Sequence, residues 1–520
     1  MNIYIKQQII AAVCFLLISV NAFAQEKQLT KQQMYEDFDE LVAILQDCNP
    51  QLSIRKYVTG VDQMELVYRL RFRIDTITSY YSFITKVLNH ALVCMYDIHA
   101  NMASSVYPSD NLEGIDVNAI DFQNQYLQRK RMEKEQIFDQ YRPFCNPAYI
   151  NGDYYMTGTY LLINRNAEDT LILNNVKLLK YAGVSYSEYV QQYAPLGMRW
   201  DNKRKQYYAI SSYFPARKDT LTVVCNGETI DIPQANYHDM LMGSDAVYLN
   251  SVYDKLPRYN HSNQAKVFYF EKDKVLYVYL DKMADENGQI ADKIKELGNG
   301  KPIGKVIIDV RNNSGGDDLA WRRVLQAIVA DTLPDIVKSA LKNSERNRRL
   351  YSDGKVFGNL PQLPAEQLPT LTKTDEAFII AESAGVYFIP DTNSLNYRGR
   401  IYIIQNEQSY SSAQAFSSYA QHIDQLVSVG VPTGMLGGRG IAPALFQLKH
   451  SKFSFRLETL LDITNAETPY QVYQDMPEIL IDIPTEEKRR ELNHHRIYDL
   501  HSKEYLYQYD YTFKKILEME

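Results

Sequence analysis

Apolar positions recur at helical spacing in the first part of the chain. Met34, Phe38, Leu41, Val42 and Leu45 follow the i, i+3/i+4 rhythm, and Asn49-Pro50 ends the run. The pattern predicts a second helix over Val61 to Arg73. A third starts near Ser79, where Phe83, Val87, Leu88, Ala91 and Leu92 lead toward Asp97-Ile98-His99. The charged segment Gln128 to Gln136 reads as exposed helix. From Tyr154 to Pro233 the texture changes to short β runs: Tyr160 to Ile163, Thr170 to Leu173, Val176 to Leu179 and Leu221 to Cys225. An Asn226-Gly227 turn leads the last of these into Thr229 to Ile232. One helix, Ser185 to Tyr193, interrupts them, which suggests a small half-open β module for peptide binding or gating. From Lys266 onward longer strands alternate with helices. Val267 to Phe270 and Val275 to Leu280 form a hairpin pattern, and a helix over Gln289 to Leu297 precedes the strand Gly304 to Val310. A helix over Leu319 to Ala330 follows. Arg400 to Gln405 then passes into a helix over Ser411 to His422, before a strand Leu426 to Val429. Strand–loop–helix repeats of this kind predict an α/β core within a multidomain α+β chain.

The 520 residues are enough for several domains, and a hydrophobic fraction of 45% is that of a globular protein. The net charge of −7 is spread along the chain. With no Lys/Arg-rich run or basic amphipathic stretch, nucleic acid and membrane surfaces are not expected partners. The first residues change the picture more. Lys6 precedes an apolar run from Ile9 to Val20, and Ala22-Phe23-Ala24 places small residues before Gln25. Twelve apolar residues span about 18 Å as a helix against a hydrocarbon core of roughly 30 Å. Residues 1–24 therefore read as a cleaved secretory signal, with a mature chain that is periplasmic or secreted and has no membrane span. Export would permit a Cys48–Cys94 disulfide, although Cys94 in an apolar helical run suits a buried free thiol.

Three segments offer chemistry. The first runs Ile401-Tyr402-Ile403-Ile404-Gln405 through a polar loop to Ser409-Tyr410-Ser411-Ser412. It delivers a serine to the start of a helix, where the Ser412 N–H can meet an oxyanion. A plain N-cap is the alternative use of such a serine. The second, Val306 to Val310 followed by Arg311-Asn312-Asn313-Ser314-Gly315-Gly316, ends a buried strand in a double-glycine turn with accessible backbone N–H groups. The third is His99, either a favourable contact at a helix C-terminus or a base.

In order and spacing these segments resemble the serine peptidase superfamily of tail-specific (C-terminal-processing) proteases and the tricorn core. The resemblance runs from about Asp37 to Pro484. It rests on Tyr96-Asp97-Ile98-His99-Ala100, Arg311 to Gly316, Ser411-Ser412-Ala413-Gln414, Gly430-Val431-Pro432-Thr433 and Pro477-Glu478-Ile479. The spacing to Gly430 selects Ser411 over its neighbouring serines. The resemblance implies a helical N-terminal region (25–150), a β-rich PDZ-like or gating module (151–262) and a crotonase-like α/β peptidase core (263–520). It also implies Ser411 as nucleophile, with an oxyanion hole from the N–H groups of Ser412 and of Gly315 or Gly316, and a peptide or protein substrate. Neither a cofactor nor a metal is implied.

The lysine that the tail-specific branch places after its Gly-Glu-Pro-Thr turn is absent. Gly434-Met435-Leu436-Gly437-Gly438-Arg439 stands there, and arginine stays protonated. The tricorn-like branch uses its motif histidine, which makes His99 the expected general base. Asp97, Asp475 and Glu478 are candidates to orient it. Gln414 and Val431, in place of motif glutamates, leave a second reading open: a lapsed relative that binds peptides or other ligands in the interdomain cleft.

Overall fold

A computed structural model describes residues 28–519 except 139–146, 157–159, 165–169, 174–175, 194–197, 202–203, 205, 210–219, 226, 234–246, 252–264, 286, 336, 352–367, 384–386, 435–436 and 495–500. The secretory signal expected over residues 1–24 lies outside them, as does Cys145. Among the described residues no helix is long and apolar enough to cross a membrane.

The N-terminal region is helical as its periodicity predicts. Lys31–Cys48 begins with a capping box between Thr30 and Gln33 and buries Phe38, Leu41 and Leu45. A short helix with no periodic signal, Leu52–Thr59, follows and carries Arg55 inward. The expected second helix is α-helical only over Gln63–Arg69 and tightens to a 3₁₀ turn over Leu70–Thr76. The third is interrupted by a π-helical stretch, Ile84–Leu88, before Asn89–Val93. Cys48 and Cys94 are buried free thiols, and burial pushes each up to about 12. The permitted disulfide is not formed.

The described residues of the β-rich middle build three small sheets. One has the strand order Glu228–Pro233, Thr220–Cys225, Lys177–Tyr181, Asp153–Met156, Pro147–Ile150. Its last hairpin pairs Pro147–Ile150 with Asp153–Met156. Several of the tyrosines cluster here: Tyr154, Tyr181, Tyr186 and Tyr189 are buried together against Val176 and Val223.

The C-terminal part is an α/β layer. Lys266–Phe270 and Val275–Tyr279 form the expected antiparallel hairpin. Val275–Tyr279, Lys305–Asp309, Ile401–Gln405, Leu426–Gly430 and Ile479–Leu480 then run parallel, side by side. The helices Gln289–Gly298, Leu319–Ile328 and Ser412–Ala420 cover one face, where Trp321 stacks on Phe416 with ring centroids 5.1 Å apart. The C-terminal helix Tyr511–Glu518 closes the other face with Phe513 and Ile516. A second sheet joins the N-terminal helices to this layer. It pairs Asn101–Met102 with Ser454–Asp462, which also pairs with Val337–Lys342 and Gly440–Gln447.

Candidate active site

Two of the sequence motifs leave adjacent parallel strands at the same edge. Asp309 pairs with Ile404, so the turn after Asp309 and the turn after Gln405 emerge together at the carboxyl ends of their strands. Side-chain amides lock the two turns. Asn406 Oδ1 accepts from the Asn312 N–H at 3.0 Å, Asn406 Nδ2 donates to Asn312 Oδ1 at 2.8 Å, and the Tyr410 N–H donates to Asn313 O at 3.0 Å. Ser409 belongs to this scaffold, donating to Val310 O at 2.8 Å and accepting from the Asn406 N–H.

Ser411 is different. It precedes the helix Ser412–Ala420 with φ +55° and ψ −124°, a strained position for a residue with a Cβ, and its side chain makes no capping bond. The N-cap reading fails, and the hydroxyl is presented on a sharp strand-to-helix turn. A Cβ on Gly315 would stand 2.5 Å from Ser411 Cβ and 3.1 Å from its Oγ, so only glycine lets the second turn approach the serine. The Gly315 N–H donates to Asn313 Oδ1 at 2.8 Å. Gly316, with φ +142°, is exposed, and its N–H has no partner among the described residues. Ser412 donates its hydroxyl to Asp318 Oδ1 at 2.5 Å, and its N–H, at the first position of the helix, has no intrahelical acceptor.

His99 does not sit at a helix C-terminus. The helix ends at Val93, and His99 lies in a turn closed by Ala100 N donating to Asp97 O and by His99 N donating to Asp97 Oδ1 at 2.8 Å. Strand register determines what faces it. Asn101 opposes Arg456 and Met102 opposes Phe455 in an antiparallel ladder, and continuing that ladder sets His99 across from Glu458. His99 Nδ1 is 2.8 Å from Glu458 Oε1 and 2.9 Å from the Tyr410 hydroxyl. Tyr410 donates to Asp97 Oδ1 at 2.6 Å, and Arg55 Nη2 lies 2.5 Å from Asp97 Oδ2 and 3.5 Å from Glu458 Oε2. Gln51 Nε2 donates to Glu458 Oε2 at 2.6 Å.

This cluster is buried apart from the His99 ring, 15% exposed. Burial lowers His99 below the usual imidazole value. Burial and the neighbouring Asp97 charge raise Glu458 well above the carboxylate range. Asp97 feels the same burial, yet the Arg55 guanidinium holds it down to about 2. Ser411 and His99 make no direct hydrogen bond, and the two halves of the site meet at Tyr410, the residue before Ser411. Asp97, His99 and Glu458 are a set that could ligate a metal. Here the guanidinium of Arg55 already stands as the cation beside both carboxylates, so the residues do not fit one.

The segment that lacks the expected lysine packs against this network. A Cβ on Gly437 would stand 2.9 Å from Asp97 Oδ1, one on Gly438 2.0 Å from Gln51 Oε1, and one on Gly440 1.2 Å from Glu458 Cδ. Arg439 turns away, buried against Asp475 at 2.5 Å. Asp475 is thereby engaged elsewhere, and Glu478 is exposed with its backbone N–H on Ser428 Oγ. Of the three carboxylates considered from sequence, Asp97 contacts the His99 backbone but not its ring. Glu458, Tyr410 and Arg55 went unnoticed. The available signal was the single acidic residue of the strand segment Phe455-Arg456-Leu457-Glu458-Thr459-Leu460-Leu461. Gln414 is buried, and neither of its amide atoms has a hydrogen-bond partner.

The family model of peptidase family S41 matches residues 274–476. No curated protein matches the chain. Among solved structures, mature CPAF is similar in fold, with a TM-score of 0.53 and 14% identity over 89% of this chain and 95% of that one. A serine-to-alanine CPAF variant gives 0.54 and 12% over 94% and 98%.

Proposed function

We propose, for a serine-type peptidase whose residues 274–476 match the model of peptidase family S41, that Ser411 is the nucleophile and His99 the general base of peptide-bond hydrolysis through an acyl-enzyme. The observation that carries the assignment is the strained, uncapped Ser411 pressed against Gly315 at the mouth of two adjacent parallel strands. His99 Nε2 takes the Ser411 proton as Oγ attacks the substrate carbonyl, while Glu458 at Nδ1 orients the ring and balances the imidazolium. The oxyanion is met by the N–H groups of Ser412 and Gly316, because that of Gly315 is engaged by Asn313. His99 then protonates the leaving amine, and water, deprotonated by His99, releases the acyl group. A rotation of the His99 turn relative to the Ser411 turn brings base and hydroxyl into contact when substrate binds. The natural substrate is a peptide or protein outside the cytoplasm, reached by export on the signal at residues 1–24.

The test is covalent labelling. A serine-reactive fluorophosphonate should modify Ser411 in the wild-type chain and fail in Ser411→Ala, with labelling slowed at least 100-fold in His99→Ala. Peptide capture without labelling or cleavage of a peptide library would overturn the catalytic reading in favour of a binding protein.

A further inference from the structure

Hydrogen-bond direction around Tyr410 fixes more than ring orientation. We propose that Tyr410, held as a donor by Asp97, is a positioning residue that keeps the proton of His99 on Nδ1 and so keeps Glu458 as the accepting carboxylate. The inference rests on the reading of His99 as base.

Asp97 accepts from His99 N at 2.8 Å, from the Tyr410 hydroxyl at 2.6 Å and from Arg55 at 2.5 Å. A carboxylate with three donors around it and an arginine on one oxygen is ionised and has no proton to give. Its low value of about 2 agrees. Tyrosine has a single hydroxyl proton, and Tyr410 directs it to Asp97. Its oxygen, 2.9 Å from His99 Nδ1, is therefore an acceptor toward the ring. Nδ1 must carry the hydrogen, and Nε2 keeps the lone pair that a base needs.

The clamp matters because Glu458 leans the other way. It is fully buried beside the ionised Asp97, which favours its protonated form. A protonated Glu458 that donates to Nδ1 across the same 2.8 Å contact, and not to the adjacent Asp97 carboxylate, leaves the hydrogen on Nε2, where His99 cannot accept the Ser411 proton. That arrangement holds the same proton count as imidazolium beside carboxylate, one more than Nδ1–H imidazole beside carboxylate, so the pair titrates as a unit. An acceptor oxygen at Nδ1 favours the states with Nδ1–H and disfavours the one with protonated Glu458. Tyr410 is also the residue preceding Ser411 and is tied through its N–H to Asn313. One side chain thereby joins the protonation state of the base to the turn that carries the nucleophile.

Two further groups, one charged and one neutral, act in the same direction. Arg55 faces both carboxylates, and Gln51 donates to Glu458 Oε2, which favours its ionised form.

The experiment combines ¹⁵N-histidine NMR with fluorophosphonate labelling rates across pH on the purified chain. Wild type should show neutral His99 with the hydrogen on Nδ1. Tyr410→Phe should label Ser411 roughly 10- to 100-fold more slowly and move the acid limb of the rate profile to higher pH, because protonated Glu458 is no longer opposed. In Asp97→Asn the amide can donate to the tyrosine oxygen, freeing the hydroxyl to donate to Nδ1. His99 should then carry its hydrogen on Nε2, and adding Tyr410→Phe should restore part of the lost rate. A Tyr410→Phe chain with wild-type labelling rate, acid limb and tautomer would overturn the inference. Should that variant not fold, retention of Nδ1–H in Asp97→Asn overturns it equally. Wild-type protein with no labelling at Ser411 overturns the proposed mechanism instead, and the tautomer reading still tests the clamp.

Discussion

His99 Nδ1 lies 2.8 Å from Glu458 Oε1 although 359 positions separate the two residues. The contact is produced by strand register, since Asn101 opposite Arg456 places the turn of His99 over Glu458. Replacing Glu458 by Gln keeps shape and volume but lets an amide donate to Nδ1. Steady-state hydrolysis should show kcat reduced by about 10²- to 10⁴-fold, roughly 3–5 kcal/mol of barrier, with KM little changed. A variant retaining more than a tenth of wild-type kcat would remove Glu458 from the mechanism.

The Arg55–Asp97 pair gives the fold a pH signature. Asp97 is held at about 2 in the folded chain against about 3.9 for an unperturbed aspartate. A depressed carboxyl contributes stability that is fully present above the unfolded value and disappears as pH falls through the folded one. The Tm difference between wild type and Asp97→Asn should therefore be constant above about pH 5 and shrink between about pH 4 and pH 2. A difference that grows on acidification would contradict the sign.

How far the sequence reaches is clear from particular residues. The parallel strands, their helices and the two motif turns are local patterns, and Ser411 and Gly315-Gly316 lie together because adjacent strands carry them. Arg439, which stands where a lysine was expected, is held by Asp475. Glu458 was invisible because its partner, His99, lies in a turn aligned by a two-residue strand, Asn101–Met102, too short to show alternation. Arg55 was missed for a related reason: the helix Leu52–Thr59 has eight residues and follows Pro50 directly. The π-helical stretch Ile84–Leu88 leaves no mark in an i, i+3/i+4 pattern at all.

Gly440 makes room for the Glu458 carboxyl. An added Cβ would fall 1.2 Å from Glu458 Cδ, in a strand that cannot shift without breaking its pairing. Gly440→Ala should cost about 2–3 kcal/mol by overpacking and reduce the activity of the folded fraction at least tenfold. Gly300→Ala is the control: φ is +70° and nothing lies within 4 Å, so the backbone alone costs about 1 kcal/mol and activity is unchanged. Equal effects from the two substitutions would show that the space beside Glu458 is not what Gly440 provides.

The C-terminal helix reaches the turn from Arg311 to Gly316 through a charge. Arg311, the first residue of the turn that ends in Gly316, lies 2.6 Å from Asp309 Oδ2 and 2.5 Å from Asp510 Oδ2. Asp510 also caps the helix Tyr511–Glu518, accepting from the Phe513 N–H at 2.7 Å. Asp510→Asn retains a capping oxygen, so the helix keeps its N-terminal bond, but it weakens the hold on Arg311, whose charge then rests on Asp309 alone. If the turn must be rigid to aim the Gly316 N–H at a developing oxyanion, kcat should fall about tenfold at nearly constant KM while Tm drops by only a few degrees. Asp510→Ala, which also removes the cap, should add about 1 kcal/mol of instability without a further proportionate loss of kcat. If kcat instead follows Tm through both variants, Asp510 acts on stability alone and the turn does not depend on it.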